Sequence, residues 1–494
     1  MKNLKNLLFA NLLILLIGCQ TKLPVKQDVL SLHPENPNYF LYQGKPALLI
    51  TSGEHYGAIM NADFNFSKYL ESLKSAGLNY TRIFMGPYSE MGDTTFGISN
   101  NTMNPKPENW ITPWPKDTIS GKYDLSKWNP VFFERLKTFV SMAAGKEIIV
   151  EATLFTSFYT NHQWSTSPFN PKNNLQKIYS ISFREVNTLQ NKQLLNYQEQ
   201  YVRKIVKELN SFGNLFFEIQ NEPWADHPNR VETIAETDTL SHPFAWQRIV
   251  ETADSASLKW QKQIASIISN EESMLPNKHL IAQNISNFRN QIENPDPNIS
   301  IFNFHYAYPV AASANLKLNK VIGLDETGFM PHQDFYYRSQ AWKFILSGGA
   351  LYNNLDYSFT VGSEDGTSVI DQYTPGWGGA AYRMQLKILK DFVEGFDFIH
   401  MKPDNSMLKV IKGSLTDFQV LAEYGKAYAI YLENGDMAEI SLQLPEGEYS
   451  AEWINPKSGN TELTEIVTAK NGAATINCHR FTEDIALKLI KKSS

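Results

Sequence analysis

The amino-acid sequence predicts an α/β protein, a (β/α)8 TIM barrel followed by a small antiparallel β-sandwich. Eight apolar runs, mostly separated by helical segments, span about 350 residues, which is typical of a parallel sheet closed into a barrel. After about residue 400 the helical spacing disappears and short runs alternate with turns. The turn after the first run, residues 52–57, lacks the glycine pattern that the competing doubly wound open sheet is expected to carry.

The first predicted strand, residues 47–52, follows a short hairpin over 39–46 and is apolar throughout, as expected of a strand buried on both faces. The other predicted strands lie at 80–85, 147–154, 215–221, 278–284, 299–306, 320–326 and 349–357. Helical spacing occurs at 64–76, before Gly77, and at about 130–144, 193–210, 256–271, 335–346 and 379–394. The fourth strand runs into Pro223, which cannot donate a ladder hydrogen bond and should end it.

The C-terminal part of the chain predicts the sandwich. The runs 407–411, 418–423 and 428–432 recur with turn sequences between them, at a spacing typical of antiparallel sheets. We therefore assign residues 38–400 to the catalytic barrel and 401–494 to the sandwich. Trp453 is expected in the sandwich core, and Cys478 is expected to be a small buried residue. The expected role of this domain is to brace the barrel.

The N-terminus predicts an export signal. Lysines in the first five residues precede an apolar run from Leu7 to Gly18, which is shorter than the roughly 20 residues of a membrane-spanning helix, so residues 1–18 are interpreted as a signal peptide. The end of this run, Leu16-Ile17-Gly18-Cys19, resembles the bacterial lipobox. The resemblance implies a lipid on Cys19 and a cell-envelope location. Residues 20–36 are polar and contain proline, so 19–37 are interpreted as the lipidated cysteine and a tether. Gln20 favours the outer membrane. An ordinary secretory signal that ends near a cysteine is the alternative.

Composition excludes several function classes. The chain has 494 residues, enough for a large and a smaller domain, and 13% of them are aromatic. Its net charge of −6 and the lack of a Lys/Arg block give no case for a nucleic-acid partner. No His-Glu-x-x-His or clustered His/Cys motif indicates a metal, and no Gly-x-Ser-x-Gly motif indicates a serine hydrolase. No metal or other cofactor is expected.

Polar residues cluster where the predicted barrel strands end. In a parallel barrel the carboxyl ends of the strands form the active-site face. The residues that stand there are Glu54, His55, Arg82, Phe155, Asn221, Glu222, Asn284, His305, Tyr306, Asp325, Glu326, Asp356 and Tyr357. Packing alone does not readily explain so many polar groups at one end of apolar strands. The sequence therefore predicts a polar active site on this face.

Asn221-Glu222-Pro223 on strand four and Glu326 on strand seven resemble the glycoside hydrolases of clan A, the retaining (β/α)8 superfamily. The resemblance covers about residues 38–398. It implies that Glu222 is the acid/base and Glu326 the nucleophile. It also implies that Asn221 binds the sugar 2-hydroxyl and that Arg82, on strand two, supports the nucleophile.

The resemblance further implies substrate contacts around the two carboxylates. His305 matches a histidine of the clan, and Tyr306 or Tyr308 could match a tyrosine on strand six. Trp224, the aromatic residue just after the acid/base motif, is included among the expected substrate contacts. Strand eight departs from the clan because it lacks the tryptophan that stacks under the sugar. Three residues could replace it, namely Asp356, Tyr357 and Trp377.

The predicted reaction is hydrolysis of a β-glycosidic bond in a polysaccharide or oligosaccharide through a covalent glycosyl-enzyme. Retention needs two carboxyl groups about 5–5.5 Å apart. Arg82 is expected to hold the pKa of Glu326 down, and the charge of Glu326 is expected to raise that of Glu222. Asp325 is the rival nucleophile, although neighbours on a strand point to opposite sides. Glu151, inside strand three, is expected to be a structural carboxylate.

Two long aromatic loops are expected to line the sugar cleft. They run over 86–128 and 155–190. The aromatic residues that they carry include Tyr88, Trp110, Trp114, Phe158, Tyr159, Trp164 and Phe169. Packing on the barrel rim is the alternative role for these side chains. For the whole chain, the alternative functions are a surface lipoprotein that binds glycans without cleaving them and a hydrolase of another bond.

Overall fold

The computed structural model describes residues 28–92, 98, 100–413, 415, 417–433, 435, 437–478 and 480–492. The predicted signal peptide, the predicted lipidation site at Cys19 and the first part of the predicted tether lie outside the described residues. Within the described part of the chain, no helix combines the length and the apolar character needed to cross a membrane.

Eight parallel strands form the barrel that the sequence predicts. They are β1 (Leu49–Gly53), β2 (Tyr80–Phe84), β3 (Ile149–Thr156), β4 (Leu215–Asn221), β5 (Ile281–Asn287), β6 (Ile301–His305), β7 (Val321–Glu326) and β8 (Leu351–Leu355). Nearly every residue of these strands is buried, because the sheet is covered on both faces. The strands pair in the order β2-β3-β4-β5-β6-β7-β8-β1.

The barrel is nearly closed between β1 and β2, which lie side by side without ladder pairing. Asn79 joins them instead. Its side-chain oxygen accepts a hydrogen bond from the backbone N–H of Ile50 at 3.1 Å, and its amide donates to the carbonyl of Leu48 at 2.8 Å. The side chain thus satisfies backbone groups that a ladder would otherwise pair.

Helices follow seven of the eight strands. They are α1 (Phe66–Ser75), α2 (Pro130–Ala144), α3 (Lys192–Leu209), α4 (Ser255–Ser273), α5 (Pro309–Ser313), α6 (Asp334–Leu346) and α7 (Ala380–Glu394). In α1 the side chain of Asn65 caps the N-terminus by accepting from the N–H of Lys68. Gly77 follows the helix with a φ of +74° and so ends it, as the position of this glycine in the sequence predicts.

A hairpin that the sequence does not reveal lies between β4 and α4. Pro228–Thr233 pairs with Ile249–Ala253, and Thr252 extends the sheet by pairing with Ser286 of β5. All six residues of the first hairpin strand are exposed. They therefore lack the alternation of buried and exposed residues from which a strand is usually predicted.

Two antiparallel sheets follow the barrel, in agreement with the predicted β-rich C-terminus. The six-stranded sheet contains Lys402–Pro403, Asp417–Glu423, Ala427–Glu433, Asp484–Lys491, Gly447–Ile454 and Thr461–Ala469, and the three-stranded sheet contains Leu408–Gly413, Ala438–Gln443 and Ala473–Asn477. Side chains from both sheets form one hydrophobic cluster that includes Trp453 and Cys478. Burial raises the pKa of the Cys478 thiol to about 12, so this thiol is a packing group.

The six-stranded sheet is fastened to the barrel through α6. The guanidinium of Arg338 donates to both carboxylate oxygens of Asp484 at 2.7 and 2.9 Å, and both side chains are almost fully buried. The ring of Trp342 stacks on that of Tyr431 with centroids 5.3 Å apart. The sheet therefore packs on the helix that follows β7.

Candidate active site

The candidate site lies at the carboxyl ends of the barrel strands, where Glu326 ends β7 and Glu222 follows β4. Glu222 has a left-handed backbone with a φ of +46°, which is unusual for a residue with a side chain. The neighbouring strands hold this conformation, because its N–H donates to Asn284 at 3.0 Å and its carbonyl accepts from Ser157 at 2.7 Å. Pro223 then starts a short helix, Pro223–Asp226, so the strand stops where the sequence predicts.

The carboxylates of Glu222 and Glu326 face each other across a cleft of about 480 Å³, part of which is open solvent. One oxygen of each lies within 4.8 Å of the other. Glu222 accepts hydrogen bonds from the Tyr159 hydroxyl at 2.6 Å and contacts Nδ1 of His305 at 2.9 Å. The two groups are therefore close enough to act on the same bond and to influence each other's protonation.

Tyrosine hydroxyls hold the Glu326 carboxylate. Tyr56 donates to one oxygen at 2.9 Å and Tyr306 donates to the other at 2.8 Å. Arg82 donates to Glu326 at 3.4 Å. Of the two tyrosines left open from the sequence, Tyr306 thus contacts the carboxylate, whereas Tyr308 stacks on Phe288 with centroids 5.5 Å apart.

Arg82 is fully buried beneath the cleft and donates hydrogen bonds to oxygens of several side chains. Its guanidinium donates to Asn221 at 2.9 Å, to Glu218 and to Glu326, and it lies 3.3 Å from Asp325. A buried cation of this kind compensates charges that the barrel interior would otherwise leave unpaired. Arg82 consequently fixes Asn221 and Glu326 relative to each other.

Asp325, the rival nucleophile, is enclosed in this network. It accepts from Asn284 at 3.0 Å and from Asn303 at 3.2 Å, and its other oxygen lies 3.3 Å from Nε2 of His305. Glu151 is also fully buried, where it accepts from Asn303 at 2.8 Å. Neither carboxylate lines the cleft.

The pKa shifts in the free site run opposite to the sequence-based expectation. Burial raises the pKa of Glu326, and the charge of Glu222 adds to this, so the pKa stays above its ordinary value despite Arg82. Burial also acts to raise the pKa of Glu222, but the hydrogen bond and charge of His305 outweigh it and lower the pKa. Arg82 is shared among several carboxylates, whereas His305 lies closest to Glu222, which explains the reversal.

Among the residues that the structure describes, two groups of side chains have a geometry that could hold a cation. Glu222, His305 and Glu326 form one, and Glu151, Glu218 and Asp325 form the other. The guanidinium of Arg82 already lies among the three carboxylates of the second group. The first group consists of the carboxylate pair itself and the imidazole of His305, which contacts both carboxylates.

The predicted substrate contacts divide into two sets. Asn221, Tyr306 and Tyr357 line the cleft with the two glutamates. His305 and Arg82 are buried behind them. Trp224 lies outside the cleft lining, with its ring 5.3 Å from that of His305. Trp377 lies outside it too.

The three residues proposed to replace the missing tryptophan have different surroundings. Trp377 donates its ring N–H to Asp334 at 2.7 Å. Asp356 is buried against Arg383. Tyr357 lines the cleft and is the one of the three in a position to contact a ligand bound there.

The two aromatic loops contribute only part of their rings to the cleft. Tyr88 and Tyr159 line it. The other aromatic side chains that we singled out pack on the barrel rim, namely Trp110, Trp114, Phe158, Trp164 and Phe169. Loop aromatics alone could not separate these roles, because rim packing and sugar stacking use the same side chains.

The polar side chains that line the cleft include some that were not among the predicted site residues. Tyr56 and Glu90 lie on loops, Tyr159 was named only as an aromatic residue of a predicted cleft loop, and His55 was noted only for its place at the end of β1. Tyr56 follows directly after His55, so the sequence signal for it was its position beyond the first strand. Glu90 carries no comparable signal in the sequence.

Solved structures share this fold along most of the chain. A provisionally assigned glycoside hydrolase from Bacteroides vulgatus ATCC 8482 gives a TM-score of 0.62 at 13% identity, covering 94% of this chain and 83% of that chain. A family 5 glycoside hydrolase from the same organism gives 0.58 at 12% identity, covering 94% and 93%. A further glycoside hydrolase gives 0.59 at 14% identity, covering 94% and 98%. No protein-family model and no curated protein sequence matches the chain.

Proposed function

We propose that this protein is a retaining glycoside hydrolase that cleaves β-linked polysaccharides or oligosaccharides. The observation that carries the proposal is the spacing of Glu222 and Glu326, whose nearest oxygens lie within 4.8 Å. This bound agrees with the roughly 5–5.5 Å between carboxyl groups in retaining enzymes and is shorter than the separation of at least about 6.5 Å that inverting enzymes use to hold a water.

In the first step, a carboxylate oxygen of Glu326 forms a bond to the anomeric carbon as the bond to the leaving oxygen breaks. Glu222 gives its proton to the leaving oxygen. Tyr56 and Tyr306 orient the Glu326 carboxylate through their hydroxyls, and Arg82 supports it from below. Asn221 lines the cleft beside the pair, where a sugar 2-hydroxyl would lie.

In the second step, water attacks the anomeric carbon and the bond to Glu326 breaks. Glu222 takes the proton of the attacking water, so the acid of the first step is the base of the second. The productive enzyme form carries its proton on Glu222. In the free site burial raises the pKa of Glu326 and His305 lowers the pKa of Glu222, so the productive form places the proton against these shifts.

Stereochemistry tests this proposal directly. We expect the protein to release products from at least one member of a panel of β-glucans, mannans, xylans and galactans. Proton NMR during the first minutes should then show the β-anomer before mutarotation equilibrates it. Initial release of the α-anomer would overturn the retaining mechanism. Glycan binding without any product would favour the non-catalytic alternative.

We also propose that a lipid on Cys19 anchors the protein to the cell envelope, at the outer membrane. The support is the lipobox-like Leu16-Ile17-Gly18-Cys19 at the end of the apolar run. We expect Cys19→Ala to abolish incorporation of labelled palmitate and to move the protein from the membrane to the soluble fraction. Cys478→Ala is the matched control, since Cys478 is buried in the C-terminal sheets and should leave the anchor unchanged. Membrane retention of the Cys19 variant would contradict the proposal.

A further inference from the structure

The cleft continues beyond the carboxylate pair to a second polar group formed by Glu90 and His55. Both residues line the cleft. The Nε2 of His55 lies 3.1 Å from one oxygen of Glu90, and its Nδ1 lies 2.9 Å from the hydroxyl of Tyr357. The amide of Asn101 donates to the other oxygen of Glu90 at 3.0 Å. These contacts join the ends of β1 and β8 to the loop after β2.

Glu90 lines the cleft and can accept a hydrogen bond from a bound ligand. Burial acts to lower the pKa of His55, but the charge and hydrogen bond of Glu90 outweigh it and raise the pKa. An ionised carboxylate has about four acceptor positions. Three are directed at protein donors, the third being the Tyr88 hydroxyl at 3.4 Å. Glu90 therefore retains capacity for a ligand hydroxyl.

The direction of the proposed reaction identifies which part of a substrate reaches Glu90. Glu222 must face the leaving oxygen, so the leaving group lies on the β4 side of the cleft. The ring that is attacked by Glu326 extends away from that oxygen. It extends toward Tyr56, His55 and Glu90, which follow β1 and β2. This end of the cleft is thus the place of the glycone.

We propose that Glu90, held by His55, is a specificity-determining residue that accepts hydrogen bonds from glycone hydroxyls. The inference rests on the proposed function, because the glycone end is defined by the roles of Glu222 and Glu326. The chemical class that this group recognises is a sugar with hydroxyl donors away from the anomeric carbon. A purely structural role, in which the ion pair fastens the loop after β2, is the competing explanation.

Hydroxyl deletion on the substrate separates these explanations. The probes are 4-nitrophenyl β-glycosides of a hexose, its 4-deoxy and 6-deoxy forms, and the corresponding pentose. We expect Glu90→Gln to lower kcat/KM about 10- to 100-fold for the full glycoside, and by less than about 3-fold for the form that lacks the hydroxyl read by Glu90. Glu108→Gln, an exposed change on the same loop, should leave every value unchanged.

Two results would overturn the inference. If Glu90→Gln lowers kcat/KM equally for every glycoside, Glu90 has a structural role. If it lowers kcat/KM for none of them, Glu90 does not recognise the substrate. If the unmodified protein cleaves no glycoside, the proposed function fails, and calorimetric titration with cello-, manno- and xylo-oligosaccharides decides the inference separately. Binding that Glu90→Gln weakens at least 10-fold would sustain a glycan-recognising Glu90. Equal binding by both proteins, or binding by neither, would overturn it.

Discussion

Replacement of Glu326 by Ala is expected to lower kcat by roughly 10⁴- to 10⁶-fold, because it removes the group that forms the covalent bond to sugar. Tyr56 and Tyr306 remain in the variant, but their hydroxyls lose the carboxylate to which they donate hydrogen bonds. It should still fold, since the Glu326 side chain ends at the cleft rather than in the core. The measurement is the initial rate on the best substrate found in the glycan panel.

Azide gives this variant a second, more specific readout. The anion fits the space that the lost carboxylate leaves and attacks the anomeric carbon from the same face. A bond to nitrogen forms, the bond to the leaving oxygen breaks, and Glu222 supplies the proton. The expected product from a β-glycoside is therefore an α-glycosyl azide. Glu364→Gln, which alters a buried carboxylate outside the cleft, is the control and should retain full activity. A β-azide from the Glu326 variant would assign the nucleophile to another residue.

Replacement of Glu222 by Gln is expected to lower kcat/KM, which reports the step that needs the acid, about 10²- to 10⁴-fold on natural glycans, which have poor leaving groups. The loss should shrink strongly for 2,4-dinitrophenyl glycosides, since their leaving group departs without a proton. A deficit of equal size for both substrate types would contradict the acid/base role. The hydrogen-bonding shape of the side chain is largely kept, so Tyr159 and His305 retain a partner.

The same variant should have a characteristic pH profile. In the unmodified protein one carboxyl must be protonated and the other ionised, so kcat/KM should be bell-shaped. The charge of Glu222 helps to raise the pKa of Glu326, so Glu222→Gln should lower that pKa. A dinitrophenyl glycoside needs no acid for its leaving group to depart. For this substrate, kcat/KM of the variant should rise with pH through the pKa of Glu326 and then stay level. A persistent alkaline decline would show that another group limits the reaction.

The sequence was sufficient to predict the barrel and to predict where its carboxylates lie, and the reason is physical. Parallel strands buried on both faces form apolar runs, and their carboxyl ends meet on one side of the sheet. Residues separated by about a hundred positions, such as Glu222 and Glu326, were therefore expected to meet. The roles implied for them by resemblance remain predictions that the variants above test.

What the sequence did not reveal depends on side-chain direction and on coupling between charges. Trp224 and Trp377 follow the right strands but lie outside the cleft lining, and no pattern of residue types reports a rotamer. The order of pKa values depends on whether His305 lies nearer Glu222 or Glu326, a difference of 2.9 against 3.6 Å. Glu90 reaches the cleft from a loop, whose path periodicity does not predict.

The position of Arg82 has a consequence for how the barrel assembles. Its partners come from both halves of the chain, with Glu218 on β4 and Asp325 and Glu326 on β7. A fragment ending after β4 would keep the cation with Glu218 and Glu151, while the complementary fragment would hold Asp325 and Glu326 without it. Leaving a buried charge unpaired costs several kcal/mol, about 3–5 in typical cases. The buried charges of the candidate site are thus fully compensated only when both halves of the barrel are joined, because the β7 carboxylates depend on a cation from β2.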